Sequence, residues 1–294
     1  MRFDETRLHE IFSSMQNRFI AVIGDVMLDR YIWGRVTRIS PEAPVPVIDV
    51  TSESNHLGGA SNVALNIRSI GAVPVLFGVV GNDSNATELR AIFGNEKIIT
   101  DFLIEDPARP TTVKTRIIAG SQHVVRIDYE DRQPIGDDIT RKMIDRLENH
   151  IGSIHSIILQ DYNKGVVSPT LIRRVIELGH THDIPVLVDP KFTNFFEYQG
   201  VTVFKPNRKE TEDALKVRLG EESSFAEAAR TLRNRLRCKH VLLTLGELGM
   251  LLLEEDGRMT RVATRARNVA DVSGAGDTVI ATLAVAMASG ATMV

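Results

Sequence analysis

Short unbroken apolar runs alternate along this chain with stretches whose apolar positions recur every three or four residues. The runs are RFIAVIGD (Arg18–Asp25), VPVLFGVVG (Val73–Gly81), SIHSIILQD (Ser153–Asp161), IPVLVDP (Ile184–Pro190), VTVFKPN (Val201–Asn207) and KHVLLTLG (Lys239–Gly246). Each is rich in Val, Ile or Leu and most end at Gly, Asp or Pro, which predicts buried strands. Between them ASNVALNIRSIG, DDITRKMIDRLENH, SPTLIRRVIELGH and SFAEAARTLRNRLR carry helical periodicity. Alternation of such strands with helices predicts an α/β fold, a mostly parallel central sheet with helices on both faces. MRFDETRLHEIFSSM at the start reads as a surface helix without the apolar centre of a secretory signal. VIATLAVAMASGATMV at the end reads as a buried core helix, too short and interrupted for a bilayer span of about 20 residues.

Two segments break the rhythm. Tyr31–Val50 (YIWGRVTRISPEAPVPVIDV) and Thr111–Glu130 (TTVKTRIIAGSQHVVRIDYE) hold β-branched residues and turn signals but no helical pattern, and the second reads as a hairpin turning near AGSQ. The expectation is one domain over residues 1–294 with a small accessory β-sheet inserted through segments 31–50 and 111–130. Such a sheet can serve as a lid over a cleft or as an edge that pairs with another subunit.

Composition narrows the picture. Hydrophobic residues make up 43% of the 294, ample for a sizeable core. Thirty-five Lys and Arg against 38 acids leave a net charge of -3, so nothing calls for nucleic acid or an anionic membrane. The one cysteine, Cys238, rules out an internal disulfide and points to a reducing, cytoplasmic setting.

In an open α/β sheet, ligands bind beyond the carboxyl ends of the strands. The polar segments that follow the expected strands are therefore the candidate site: GDVMLD, DYNKG, DPK, KPNRKE and TLGELG. DVSGAGDT (Asp271–Thr278) adds a glycine-softened helix start. Gly274 and Gly276 let an anion approach the main chain, and the first amides of the following helix lack internal partners and point outward at the positive end of the dipole. That arrangement suits a phosphate or a developing phosphoryl charge. Asp277 then sits beside the reacting phosphate, placed to accept a hydroxyl proton, as an aspartate does in protein kinases. With an ordinary carboxylate pKa of about 3.9 it would be a weak base, adequate where proton transfer is late. The plain alternative is an aspartate that caps the helix. The chain has no Walker A loop, no HRD–DFG set, no zinc-spaced Cys/His cluster and no GxSxG elbow. His56 is the one histidine near a candidate segment, and no chemical role is expected for it.

LGGASNVALNIRSIG near the start and DVSGAGDT near the end resemble the two signatures of the ribokinase-type (PfkB) sugar kinases, and the intervening motifs fall in that family's order. The resemblance covers essentially the whole chain. Within the family, GDVMLDRYIWGRVTRISPEAPVPV, QDYNKGV, DPK and DVSGAGDTVIA are similar to the heptose-7-phosphate kinases, which occur alone or as the first half of a bifunctional ADP-heptose synthase. The resemblance implies ATP-dependent phosphorylation of the C1 hydroxyl of D-glycero-β-D-manno-heptose 7-phosphate, giving the 1,7-bisphosphate used for the lipopolysaccharide inner core. It implies Asp277 as base, with Gly274, Ala275 and Gly276 as the anion hole. Asp25, Asp29, Gly58, Gly59 and Asn62 would hold the sugar. Asn207 and Glu210 would lie near Mg²⁺ and the ATP phosphates, with Thr244, Gly246, Gly249 and Ser273 at the nucleotide. It also implies a homodimer paired through the lids.

A substrate already phosphorylated at its far end needs a cation, and Lys164, Lys191, Arg116 and Arg126 are the candidates. Lys164, in DYNKG, comes first; Arg116 and Arg126 lie on the expected hairpin, where a guanidinium can grip phosphate with two parallel hydrogen bonds. Gln160 departs from the family pattern, which has a small hydroxyl residue before the DYxKG segment. Family members continue past the last helix with residues that enclose adenine, so the expected kinase domain is short at its C-terminal side. Other readings are a relative acting on fructose, ribose or a hexose phosphate, a catalytically silent sugar- or nucleotide-binding regulator, and a structural protein of the same fold.

Overall fold

The computed structural model describes residues 4–120, 122–264 and 274–293. In chain order the elements are α1 (Glu5–Met15), β1 (Phe19–Gly24), β2 (Val26–Ile39), β3 (Pro46–Gly59), α2 (Ala60–Ile70), β4 (Val73–Val80), α3 (Ser84–Asn95), β5 (Leu103–Glu105), β6 (Val113–Ala119) and β7 (Gln122–Tyr129). There follow α4 (Asp137–His150), β8 (Ser156–Gln160), α5 (Pro169–Thr181), β9 (Val186–Asp189), β10 (Val203–Phe204), α6 (Arg208–Leu215), α7 (Glu222–Leu236), β11 (His240–Thr244), β12 (Met250–Leu253), β13 (Met259–Val262) and α8 (Ala275–Ala288).

Among the described residues nine strands form one sheet in the order β13-β12-β11-β10-β9-β8-β1-β4-β5. All neighbours are parallel except β11–β12 and β12–β13. Successive residues of β1 serve opposite faces: Ile20 and Val22 pack under α1, α2, α3 and α8, while Ala21 and Ile23 pack under α4, α5 and α7. Burial on both sides is why these strands read as continuous apolar runs rather than alternating ones. Each fully buried Ile or Leu among them contributes about 1.5–3 kcal/mol of transfer free energy. From β1 the sheet extends one way through β4 and the other through β8, so the β1–β8 boundary is the point where strand order reverses and where a crevice opens.

A second sheet has the order β3-β2-β6-β7. The lid segments expected at 31–50 and 111–130 lie in it, although β2 and β3 begin and end deeper, at Val26 and Gly59, directly against the main sheet. Arg30 Nη2 anchors the lid to α3 through Glu88 Oε2 at 2.8 Å, and Asn55 donates to the other oxygen of the same carboxylate. α3, α6, β5, β12 and β13 carry weaker periodicity and were not expected from the sequence.

Candidate active site

The carboxyl ends of β1 and β8 meet the amino end of α8. Gly274 is the N-cap of α8 with φ 79°, a left-handed conformation that glycine adopts without strain, and no side chain caps the helix. A Cβ at Gly274 would fall 2.9 Å from Asn62 Nδ2. Asp277 is therefore the third residue of the helix, and the capping alternative is excluded. Its side chain turns to the sheet and is only 4% exposed. Oδ2 accepts from Asn62 Nδ2 at 2.7 Å; Oδ1 accepts from the Tyr162 hydroxyl at 2.9 Å and from Gln160 Nε2 at 3.1 Å.

Burial pushes the Asp277 carboxyl up to about 6, helped by the nearby charge of Asp189 and opposed by the Asn62 and Tyr162 hydrogen bonds and by Lys205. The weak base expected from the sequence is thus strengthened by desolvation while remaining ionised at neutral pH. Lys205 Nζ pairs with Asp189 Oδ2 at 2.8 Å, both side chains being buried. A Cβ on Gly276 would lie 3.4 Å from that ammonium, so a fixed cation stands beside the first turn of α8.

Asp277 and Gly274 line a cavity of about 830 Å³ together with Asp29, Gly58, Gly59 and Asn62. Gly59 has φ 57°, and a Cβ there would strike the Asp25 carbonyl at 2.4 Å, which explains the paired glycines at the start of α2. The lid forms the opposite wall, with Tyr31, Trp33, Lys114, Arg116, His123 and Arg126. Arg116 Nη1 bonds Asp29 Oδ1 at 2.7 Å and its guanidinium lies over the Tyr31 ring at 5.1 Å. Arg126 forms a forked pair with Asp128 at 2.9 and 3.0 Å.

Several expected site residues have other partners. Asp25 does not line the cavity. It is 1% exposed, and its carboxylate accepts the amides of Tyr162, Lys164 and Val166 at 2.7, 3.1 and 3.2 Å. Its task is to shape the loop after β8, and burial pushes it up to about 6 despite those bonds. Lys164, first choice for the substrate cation, is also turned away: its ammonium pairs with buried Glu130 at 2.7 Å and is not on the cavity wall. Lys114 does line the cavity, two residues along β6 from Arg116 and so on the same face of the strand, with its ammonium 3.8 Å from Glu130 and 4.0 Å from Asp128. Lys191 pairs with Glu210 and lies over the Tyr162 ring, 5.4 Å from its centroid, outside the cavity lining.

Asn207 and Glu210 form a capping box at the start of α6: Asn207 Oδ1 accepts the Glu210 amide and Glu210 Oε2 accepts the Asn207 amide, both at 2.8 Å. Thr244 bridges to Asn207 across the strand ends, and Gly246 opens the short 3₁₀ turn Gly246–Leu248, which Gly249 closes. Ser273, along with Asp271 and Val272 of the same motif, lies outside the described residues. No site role is expected from the sequence for Tyr162, Gln160, Lys114, His123 or Lys205, although Gln160 stands out there as a departure from the family pattern. Tyr162 and Lys205 stand inside DYNKG and KPNRKE, where the neighbouring charged residues carry the stronger chemical signal.

Residues 17–294 match the sequence family described as pfkB family carbohydrate kinase. The chain belongs to that family. It is accordingly a phosphotransferase acting on a sugar hydroxyl. Among curated relatives, the bifunctional protein HldE of Pelobacter propionicus is 42% identical over 99% of this chain and 60% of its own length. That of Geobacter sulfurreducens is 44% identical over 92% of this chain and 55% of its own. The chain thus spans little more than half of these relatives. Phosphofructokinase-2 from Escherichia coli, in complex with fructose-6-phosphate, superposes with a TM-score of 0.74 at 18% identity, covering 94% of this chain and 88% of that one. Arabidopsis thaliana ribokinase, complexed with ribose and ATP, gives 0.73 at 17%, covering 94% and 87%. At those identities the likeness establishes the ribokinase-like fold. Among the described residues no helix is long and apolar enough to cross a membrane.

Proposed function

We propose that this kinase phosphorylates the C1 hydroxyl of D-glycero-β-D-manno-heptose 7-phosphate with Mg·ATP, giving the 1,7-bisphosphate for lipopolysaccharide core synthesis. The observation that carries the reading is the polarity of the cavity: a basic carboxylate, Asp277, at one wall and Lys114, Arg116, His123 and Arg126 on the lid opposite. A sugar with a free hydroxyl at one end and a phosphate at the other matches both. These cations already share carboxylates, Arg116 with Asp29, Arg126 with Asp128 and Lys114 with Asp128 and Glu130, and a substrate phosphate would join that network by exchanging carboxylate contacts for its own. The relatives named HldE and the heptose-kinase resemblance of RISPEAPVPV support the same substrate.

The chemistry follows from the placement of Asp277. Asp29 and Asn62 hold the sugar hydroxyls on the Gly58–Gly59 floor. The acceptor oxygen bonds to the γ-phosphorus of ATP as the bond to the leaving ADP oxygen breaks, and the hydroxyl proton passes to Asp277. The amides of Gly274, Ala275 and Gly276, at the positive end of α8, stabilise charge on the phosphoryl oxygens. Lys205 adds a positive charge on the same side.

A nucleotide would lie at the ends of β10 and β11, bordered by Thr244, which bridges to Asn207, and by Gly246 and Gly249, whose positive φ keeps the turn open to a close approach. They do not form a dedicated metal cage: among the described residues no cluster of three His, Cys, Asp or Glu is set to hold a metal. Mg²⁺ would ride on the ATP phosphates, neutralising their charge, with Asn207 and Glu210 reaching it through water. The second copy of a homodimer would seat on the outer face of the lid, an apolar groove of about 540 Å³ that includes Ile48, Val50, Ile117 and Val125.

A coupled ADP-release screen across free and phosphorylated sugars tests the substrate. Turnover is expected to be fastest on the heptose 7-phosphate, and a preference for free ribose or fructose, or for fructose 6-phosphate, would overturn it.

A further inference from the structure

We propose that Gln160 is a positioning residue for the phosphoryl-transfer base: its carboxamide stands between Asp277 and Asp189 and gives one N–H to each. This deepens the reading of Asp277 as base and rests on it. Gln160 is the last residue of β8, in register with Gly24 of β1 and Asp189 of β9. Side chains in register on neighbouring parallel strands share a face of the sheet, so Gln160 and Asp189 stand side by side under the start of α8. Nε2 lies 3.1 Å from Asp277 Oδ1 and 3.3 Å from Asp189 Oδ2, and the residue is 1% exposed. The amide orientation is fixed by its neighbours, because the reverse would set Oε1 against two carboxylate oxygens.

Oε1 is buried without a hydrogen-bond partner. An unpaired buried acceptor costs about 1–3 kcal/mol. A small hydroxyl residue, as in the resembled pattern, would place no amide carbonyl oxygen there, its single oxygen being both donor and acceptor. What this chain gains is a donor that spans two carboxylates whose mutual repulsion otherwise falls on the base. Among the described residues the groups facing Asp277 are few. Asp189 from β9 and Lys205 after β10 supply charge; Tyr162 from the loop after β8 and Asn62 from α2 supply donors. Without Gln160, Oδ1 keeps, among the described residues, the Tyr162 hydroxyl alone, and the negative charge of Asp189 acts on Asp277 with no donor between them. Asp277 then holds its proton to higher pH and is productive over a narrower range.

The test is the pH profile of kcat/KM from pH 5 to 9 for the parent, Gln160→Met and Asp277→Asn. Methionine keeps length and volume, drops the donor and removes the orphaned oxygen. Gln160→Asn, which keeps an amide too short to reach both carboxylates, is measured alongside in case the methionine variant fails to fold. The acid limb is expected to move upward by about one pH unit in either variant, with KM for both substrates within about threefold of the parent. A rate that falls uniformly across the range, or an acid limb within about 0.2 unit of the parent's, overturns the role of Gln160. If Asp277→Asn retains the parent's rate, the base assignment itself fails and Gln160 falls with it. Loss of rate in Asp277→Asn with an unmoved limb in the Gln160 variants rejects this inference alone.

Discussion

The carboxamide of Asn62 donates to Asp277 Oδ2 at 2.7 Å, joining two residues 215 positions apart in sequence. The bond ties the two family signatures to each other: Asn62 belongs to the first turn of α2, Asp277 to the first turn of α8, and Thr278 Oγ1 reinforces the contact by donating to Asn66 at 3.0 Å. It fixes one carboxylate oxygen and helps keep Asp277 ionised against the pull of burial. Asp277→Asn is expected to lower kcat by about 10²–10⁴ with the fold retained, the range for loss of a general base. Asn62→Ala should shift the acid limb of the rate profile upward, because one of the interactions that lower the Asp277 pKa is gone. A rate within twofold of the parent for Asp277→Asn, measured by ADP release, would reject the base.

The same carboxylate links activity to stability with a definite sign. Burial lifts Asp277 from the usual carboxylate range to about 6. In the window between those values the folded protein keeps a proton that the unfolded chain has lost. The stabilisation from that proton is complete below the ordinary value and is lost as pH rises through about 6. Asp277→Asn has no such titration. Its melting temperature relative to the parent should therefore rise between about pH 4 and pH 7, by an amount worth up to about 3 kcal/mol. A difference that stays flat across that window, followed by thermal unfolding in matched buffers, would show that the carboxylate is not held up.

Cations of the lid and of the loop after β8 should separate by their kinetics. All four have carboxylate partners, but Lys114, Arg116 and Arg126 line the cavity whereas Lys164 pairs with Glu130 off its wall. Substituting Met for Lys114, Arg116 or Arg126 singly is expected to raise KM for the sugar phosphate by roughly 10- to 100-fold, the worth of a hydrogen bond to a charged group, and to leave KM for ATP nearly unchanged. Lys164→Ala should instead lower stability by about 1–3 kcal/mol by leaving Glu130 buried with fewer partners. A large, selective KM effect at Lys164 would restore it as the phosphate ligand.

Much of this was legible in the sequence. All six expected strands formed, because continuous apolar runs leave a strand few alternatives to the interior of a parallel sheet. The hairpin near AGSQ formed as β6–β7, where β-branched residues flank a glycine with φ 63°. Chemistry-bearing residues at strand ends were also found, since topology alone directs ligands there. What the sequence hid is direction. Asp25 and Lys164 follow strands β1 and β8 and look as available as Asp29 within β2 or Lys114 within β6, yet they point into the loop core, and only the three amides around Asp25 and the carboxylate at Lys164 reveal it. Tyr162 carried no expected role, and Gln160 stood out only as a departure from the family pattern, for a related reason: a donor to a base carries no charge or spacing signature of its own.

The outer face of the lid carries the last prediction. Alternation along β2, β3, β6 and β7 sends Tyr31, His56 and Arg116 to the cavity and Ile32, Ile117 and Val125 to the opposite side. On that side Val50 is 61% exposed and Val125 46%. β-Branched residues at successive outward positions are an unusual surface for an isolated protein and fit a second lid packed against the first. Val125→Lys places an ammonium in the centre of that face without touching the cavity. The parent is expected to sediment as a dimer at micromolar concentration and the variant as a monomer in analytical ultracentrifugation. Because the lid also carries the cations proposed to bind the substrate phosphate, the monomer should show a raised KM for the sugar phosphate. A parent that sediments as a monomer, or a variant that remains a dimer, would remove the lid from the assembly.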